Sequence, residues 1–166
     1  MSLDKFQIPI ALLPELYKDS LVVLDKKQVI TKSLKEQKLI SLGSNIKNIL
    51  LLVNDENSLH STDKSLEFLT GILSACKLSF ADVVLLNISG NKTANYTTLI
   101  DAYKPIVVIC FGIDTKKIKL PLELIPYQTQ SNQQITFLLA SSLEDLAKNI
   151  EEKKVLWGCL KNIFSI

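Results

Sequence analysis

Apolar residues along this chain fall into short unbroken runs separated by polar, lysine-rich or proline-containing stretches. Ile49-Leu50-Leu51-Leu52-Val53, Val83 to Leu86 and Ile106 to Phe111 are continuous apolar segments, the pattern of strands covered on both faces. Ile135 to Ala140 reads as a further strand. Between the first two runs, Leu66, Leu69, Ile72, Leu73 and Cys76 recur at helical spacing. They predict a helix from about Asp63 to Lys77, with Thr62 or Asp63 as its cap. Tyr96 to Tyr103 is a short helix stopped before Pro105. Ser142 starts another, with Asp145 three residues on in capping-box spacing. The C-terminal helix, Glu152 to Phe164, carries Leu156, Cys159, Leu160 and Ile163 on one face.

Upstream, Leu21 to Leu24 reads as a strand. The lysine-rich stretch after it (Lys26, Lys27, Lys32, Lys35, Lys38) reads as a solvated turn and a second short strand. Residues 113–134, with Pro121, Pro126 and the basic group Lys116, Lys117 and Lys119, show no regular period. Strand, helix, strand, helix, strand implies right-handed crossovers. The expectation is therefore a three-layer α/β/α domain with a mostly parallel central sheet, spanning residues 20–166. Residues 1–19 form an apolar leader broken by Pro9 and Pro14, and its Phe6, Ile8, Leu12 and Leu13 could pack back or dock into a partner.

Composition narrows the function classes. A chain of 166 residues that is 47% hydrophobic and 22% charged suits one soluble domain. Its apolar runs are strand-sized and too short to span a bilayer, so no membrane association is expected. No secretory signal is evident, and a cytoplasmic location is expected. Cys76, Cys110 and Cys159 are widely spaced in apolar surroundings, which reads as buried reduced thiols rather than a metal cluster. All 19 basic residues are lysine, and the lack of arginine weakens a reading of base or phosphate recognition.

Sites in such sheets form where the strands' carboxyl ends open. The residues predicted there are Asn54, Asp55, Asn57, His60, Asn87, Ser89, Gly112, Asp114, Ala140 and Ser141. The five glycines do not cluster after a strand, which excludes a phosphate cradle and leaves no cofactor expected. No nucleophile elbow is present, and His60, the single histidine, has no evident serine partner. His60 reads as an exposed residue ahead of a helix, and Trp157 as a core or rim residue anchoring the last helix. A carboxylate pair of Asp55 with Asp114 remains an alternative, as does a small-ligand site at the strand ends.

The order of elements resembles the uracil-DNA glycosylase fold, with a strand, polar loop and helix first and a short motif opening a late helix. The first loop here, Asn54-Asp55-Glu56-Asn57-Ser58, lacks the glycine and proline of that superfamily. The later segment, Ala140-Ser141-Ser142-Leu143, lacks its histidine. A closer resemblance is to the psi subunit of bacterial DNA polymerase III, a clamp-loader accessory protein on the same fold. It is carried by Val53-Asn54-Asp55, Leu59, the helix with Leu66 and Leu73, Asp82-Val83 and Leu85-Leu86. A second block is Leu143-Glu144-Asp145-Leu146, Asn149 and Leu156-Trp157. Ala140-Ser141 and Asn149-Ile150 stand where that family often has Ser-Pro and Asn-Pro.

This resemblance implies a non-enzymatic protein-protein scaffold without a cofactor or catalytic residues. Its strand-end edge would keep Asn54, Asp55, Asn87, Ala140 and Ser141 as a vestigial pocket. Clamp-loader subunits and a chi-like protein would be the partners, with the leader around Phe6, Ile8, Leu12 and Leu13 as a binding peptide. DNA contact would be indirect or weak. The alternative is a divergent uracil-DNA glycosylase-like enzyme acting on DNA bases, with Asn54 or Asp55 positioning water.

Overall fold

The computed structural model describes residues 39–56 and 58–166. The leader with Phe6, Ile8, Leu12 and Leu13, the expected strand Leu21 to Leu24, the lysines up to Lys38, and Asn57 lie outside the described residues.

Among the described residues six strands form one sheet: β1 (Ser41–Leu42), β2 (Ile49–Val53), β3 (Val83–Asn87), β4 (Val107–Phe111), β5 (Thr129–Asn132) and β6 (Ile135–Ala140). Among the same residues are the helices α1 (Asp63–Ala75), α2 (Tyr96–Tyr103), α3 (Leu143–Lys148) and α4 (Ile150–Phe164). The strand order is β1-β3-β2-β4-β6-β5. β3, β2, β4 and β6 run parallel, whereas β1 pairs antiparallel with β3 and β5 antiparallel with β6. The expected mostly parallel sheet is thus a mixed one, with a short antiparallel strand at each edge among the described residues. Two-residue β1 and polar β5 blunt those edges, as unpaired backbone requires.

Burial follows the two-residue period of a strand. Ile49, Leu51 and Val53 join one apolar cluster with Leu69 and Leu73 of α1, Leu143 and Leu146 of α3, and Leu156 and Leu160 of α4. Leu50 and Leu52 point the other way, into a cluster with Leu99 of α2 and with Ile113, Ile118 and Leu124. Each wholly buried leucine of this kind contributes on the order of 2 kcal/mol. The irregular stretch after β4 therefore does the covering that a helix does on the opposite face. Leucine and isoleucine placed every few residues let it do so without helical periodicity.

Caps set the helix limits. Thr62 Oγ1 accepts from the Ser65 N–H at the start of α1, and Asn95 and Thr98 form a reciprocal capping box for α2. α1 ends two residues before the expected Lys77, which takes the left-handed conformation that terminates helices. Asn149 breaks the last helical stretch in two. It ends α3, and its Oδ1 accepts from the N–H groups of Glu151 and Glu152 to open α4. α4 thus begins at Ile150, ahead of the expected Glu152.

Candidate functional site

β2 leads through α1 to β3 on one side, and β4 leads away to β6 on the other. Their carboxyl ends are adjacent, and such a divergence opens a crevice in parallel sheets. A cleft of about 280 Å³ lies there. Asn54, Asp55, Ser61, Ser65, Phe111 and Ser142 help to line it, and its charged lining residues are Asp55, Glu56 and Glu144. Phe111, almost wholly buried, is among its apolar lining residues. On the other flank of Asn54, a hollow of about 500 Å³ is bordered by Ser89, Lys92 and Lys117. Glu56 lies between the two, so the hollow combines its carboxylate with the two lysines, whereas the cleft's charged lining is all acidic.

The loop after β2 is shaped by Asn87, which is wholly buried at the end of β3. Its Nδ2 donates to the carbonyls of Asp55 and Ser58, each at 2.7 Å. Its Oδ1 accepts from the backbone N–H of Asp55 at 3.0 Å and of Ser89 at 3.2 Å. Both amide hydrogens and both lone pairs are thus used. Asp55 continues the construction: Oδ2 accepts from the Ser58 hydroxyl at 2.8 Å and from the Thr62 N–H at 2.9 Å. A carboxylate beside the start of α1 also suits the positive end of the helix dipole. Asn54 Oδ1 accepts from the Ser89 hydroxyl at 2.9 Å. A second buried amide, Asn91, ties Ile40 to the end of β3 by accepting from its N–H at 2.7 Å and donating to its carbonyl at 3.0 Å.

At the seam between β4 and β6, Gly112 has φ +61° and its N–H donates to the Ala140 carbonyl at 2.9 Å. A Cβ there would stand 2.8 Å from Ser142 Cβ. Glycine is needed for both conformation and space. The close approach brings Ser142, the cap of α3, to the cleft.

Ser141 faces a different group. Tyr127 Oη donates to Glu152 Oε2 at 2.5 Å and accepts from the Ser141 N–H at 3.2 Å. It also lies 2.9 Å from Ser141 Oγ. Burial first, then the bond to Glu152, raises the Tyr127 phenol above its ordinary value. The Ser141 hydroxyl first and Tyr127 second hold Glu152 below the usual carboxylate range.

Of the residues expected at this edge, Asn54 and Asp55 line the cleft. Asn87 lies beneath the loop and Ser89 binds Asn54. Ala140 is buried and holds Gly112, while Ser141 turns to Tyr127. Asp114 is exposed and closes its own turn by accepting from the Lys116 N–H at 3.0 Å. His60 is half-buried ahead of α1, and its Nδ1 is shielded and unbonded. Trp157 is half-buried at the rim of the core. Sequence reasoning missed Ser61, Ser65, Phe111, Ser142 and Glu144 as cleft residues. The cap at Ser142 and the strand end at Phe111 were signals that could have found two of them.

The thiols are free, with Cys76 and Cys110 buried and Cys159 half-buried. Burial pushes the Cys110 thiol up to about 12. Among the described residues no group of three or more His, Cys, Asp or Glu side chains could hold a metal ion. No helix among them is long and apolar enough to cross a membrane. No protein-family model matches the chain, and no curated protein matches it.

Proposed function

We propose that this chain is a non-enzymatic protein-protein scaffold of the replication clamp loader, similar to the psi subunit of bacterial DNA polymerase III. On this reading a three-layer, uracil-DNA glycosylase-like domain serves binding rather than chemistry. The observation that carries it is the use made of Asn87 and Asp55. Their amide and carboxylate are spent on the backbone of residues 55–62, so the strand-end polar groups build the loop itself. The acidic lining of the cleft adds to this, because Asp55, Glu56 and Glu144 repel a phosphate backbone. The cytoplasmic location and the clamp-loader and chi-like partners belong to the same proposal. Co-purification of the full chain with clamp-loader subunits tests it. Retention of the clamp loader or a chi-like protein is the expected result; binding to neither sinks the proposal.

One observation favours a second reading. The cleft is open and lined by Asn54, Ser61, Ser65 and Ser142, polar groups that suit a planar polar ring such as a base. A divergent glycosylase-like enzyme would release base from uracil-containing single- or double-stranded DNA, and Asn54→Ala would reduce that release while leaving the Asp55 turn intact. A scaffold gives no release above background.

A further inference from the structure

The face of the domain carrying α1 and α4 has an opening of a different kind. α1 packs against α3, and α3 against α4. Between α1 and α4 lies a groove of about 290 Å³. Phe68, Gly71 and Ile72 line it from α1, and Lys153, Trp157 and Leu160 from α4. It shares no lining residue with the strand-end cleft. Leu160 is buried at its base, whereas Phe68, Ile72 and Trp157 are half-buried and Gly71 is exposed. A Cβ added at Gly71 meets nothing within 4 Å.

Two lysines stand over the rings at this groove. Lys153 Nζ stands 5.3 Å from the centre of the Phe68 ring, and Lys161 Nζ 5.6 Å from that of Trp157. The ion pairs among the described residues are Lys47 with Asp82 and Lys154 with Glu151. Lys153 instead donates to the Ala147 carbonyl. Two ammonium groups over aromatic rings thus border an apolar trough whose charged lining residue is Lys153. Cations held this way favour an anionic occupant whose apolar side replaces water on the rings.

We propose that the α1–α4 groove binds an acidic amphipathic helix of a partner protein. Apolar residues at positions one helical turn apart would lie along Phe68, Ile72 and Trp157, and flanking glutamates would meet Lys153 and Lys161. The inference stands independently of the clamp-loader reading, since it concerns a surface separate from the strand-end cleft.

The test uses the full chain and two labelled helical peptides with the same leucine stripe, one flanked by glutamate and one by lysine. Fluorescence anisotropy should show binding of the glutamate peptide, weakening as salt rises. Gly71→Leu fills the trough, and leucine is the better helix former, so the variant keeps its fold. It should weaken binding by about tenfold or more with an unchanged circular dichroism spectrum. Lys153→Glu combined with Lys161→Glu should invert the preference between the two peptides. Equal binding of both peptides by the native chain, or unchanged affinity in Gly71→Leu, would overturn the proposal. So would a dimer of the native chain in sedimentation that Gly71→Leu dissociates, since a second copy would then be the occupant.

Discussion

The two ends of the strand-end edge are held by different means. Under β2 and β3, one wholly buried amide, Asn87, makes four hydrogen bonds to backbone groups. Beyond β6, Tyr127, Ser141 and Glu152 form a half-exposed cluster of hydroxyls and a carboxylate that crosses from a loop to α4. A buried amide cannot exchange its bonds for water, so its removal strands every partner. A half-exposed cluster can be replaced by solvent and depends on protonation. The β2–β3 end should therefore be rigid, and the β6 end softer and titratable.

Asn87→Ala is the sharpest way to break this contrast. It leaves two N–H groups and two carbonyls of the 55–89 region without their partner, which should cost about 3–5 kcal/mol. Urea denaturation at neutral pH measures it. A loss below about 1 kcal/mol would show that water replaces the amide and that the two ends are alike.

Gly112→Ala probes the seam between the ends. Its left-handed backbone and the 2.8 Å approach to Ser142 Cβ both resist a methyl group. A loss of about 2 kcal/mol is expected in the same denaturation series. The cap of α3 must give way to relieve the contact, so near-neutrality would mean that the seam is soft.

Legibility in the sequence divides along the same line. The β2, α1 and β3 side was readable because unbroken apolar runs and a strongly periodic helix leave few alternatives. Asn87 could be placed at the edge from the end of its strand, but its role could not. A polar residue after an apolar run looks the same whether it faces a ligand or the backbone beneath it. On the other side β6 was readable at Ile135 to Ala140, but β5 and its hairpin were not. β5 is Thr-Gln-Ser-Asn, polar throughout, and its hairpin turns on Gln133-Gln134, with φ +48° and +67°. Such turns ordinarily advertise themselves with Asn-Gly. Tyr127 likewise sits at φ +57° without glycine or asparagine to mark it. Antiparallel pairing to β6 overrides these local preferences, and tertiary override leaves no periodic trace.

That override can itself be measured. Replacing Gln133 by Asn and Gln134 by Gly supplies residues suited to the turn and should stabilise the domain by about 1 kcal/mol. Thermal unfolding by circular dichroism reads the gain. A loss would mean that the glutamine side chains hold the hairpin through contacts worth more than the backbone strain.

The smallest effect distinguishes the two ends by its pH dependence. Tyr127→Phe removes the donor to Glu152 and the acceptor of the Ser141 N–H, and solvent screening should limit the cost to about 1 kcal/mol. Glu152 is lowered on folding, so its contribution is present above the ordinary carboxylate value of about 4.3 and lost as pH falls through the depressed one. Tyr127 is raised on folding. Its contribution is present below the ordinary phenol value of about 10 and lost as pH rises through the raised one. The difference in melting temperature between the native chain and Tyr127→Phe should therefore be widest between about pH 5 and 9 and narrow at both extremes. Thermal unfolding across that range checks it. A gap that stays constant with pH would mean that Tyr127 stabilises the β6 end by packing alone.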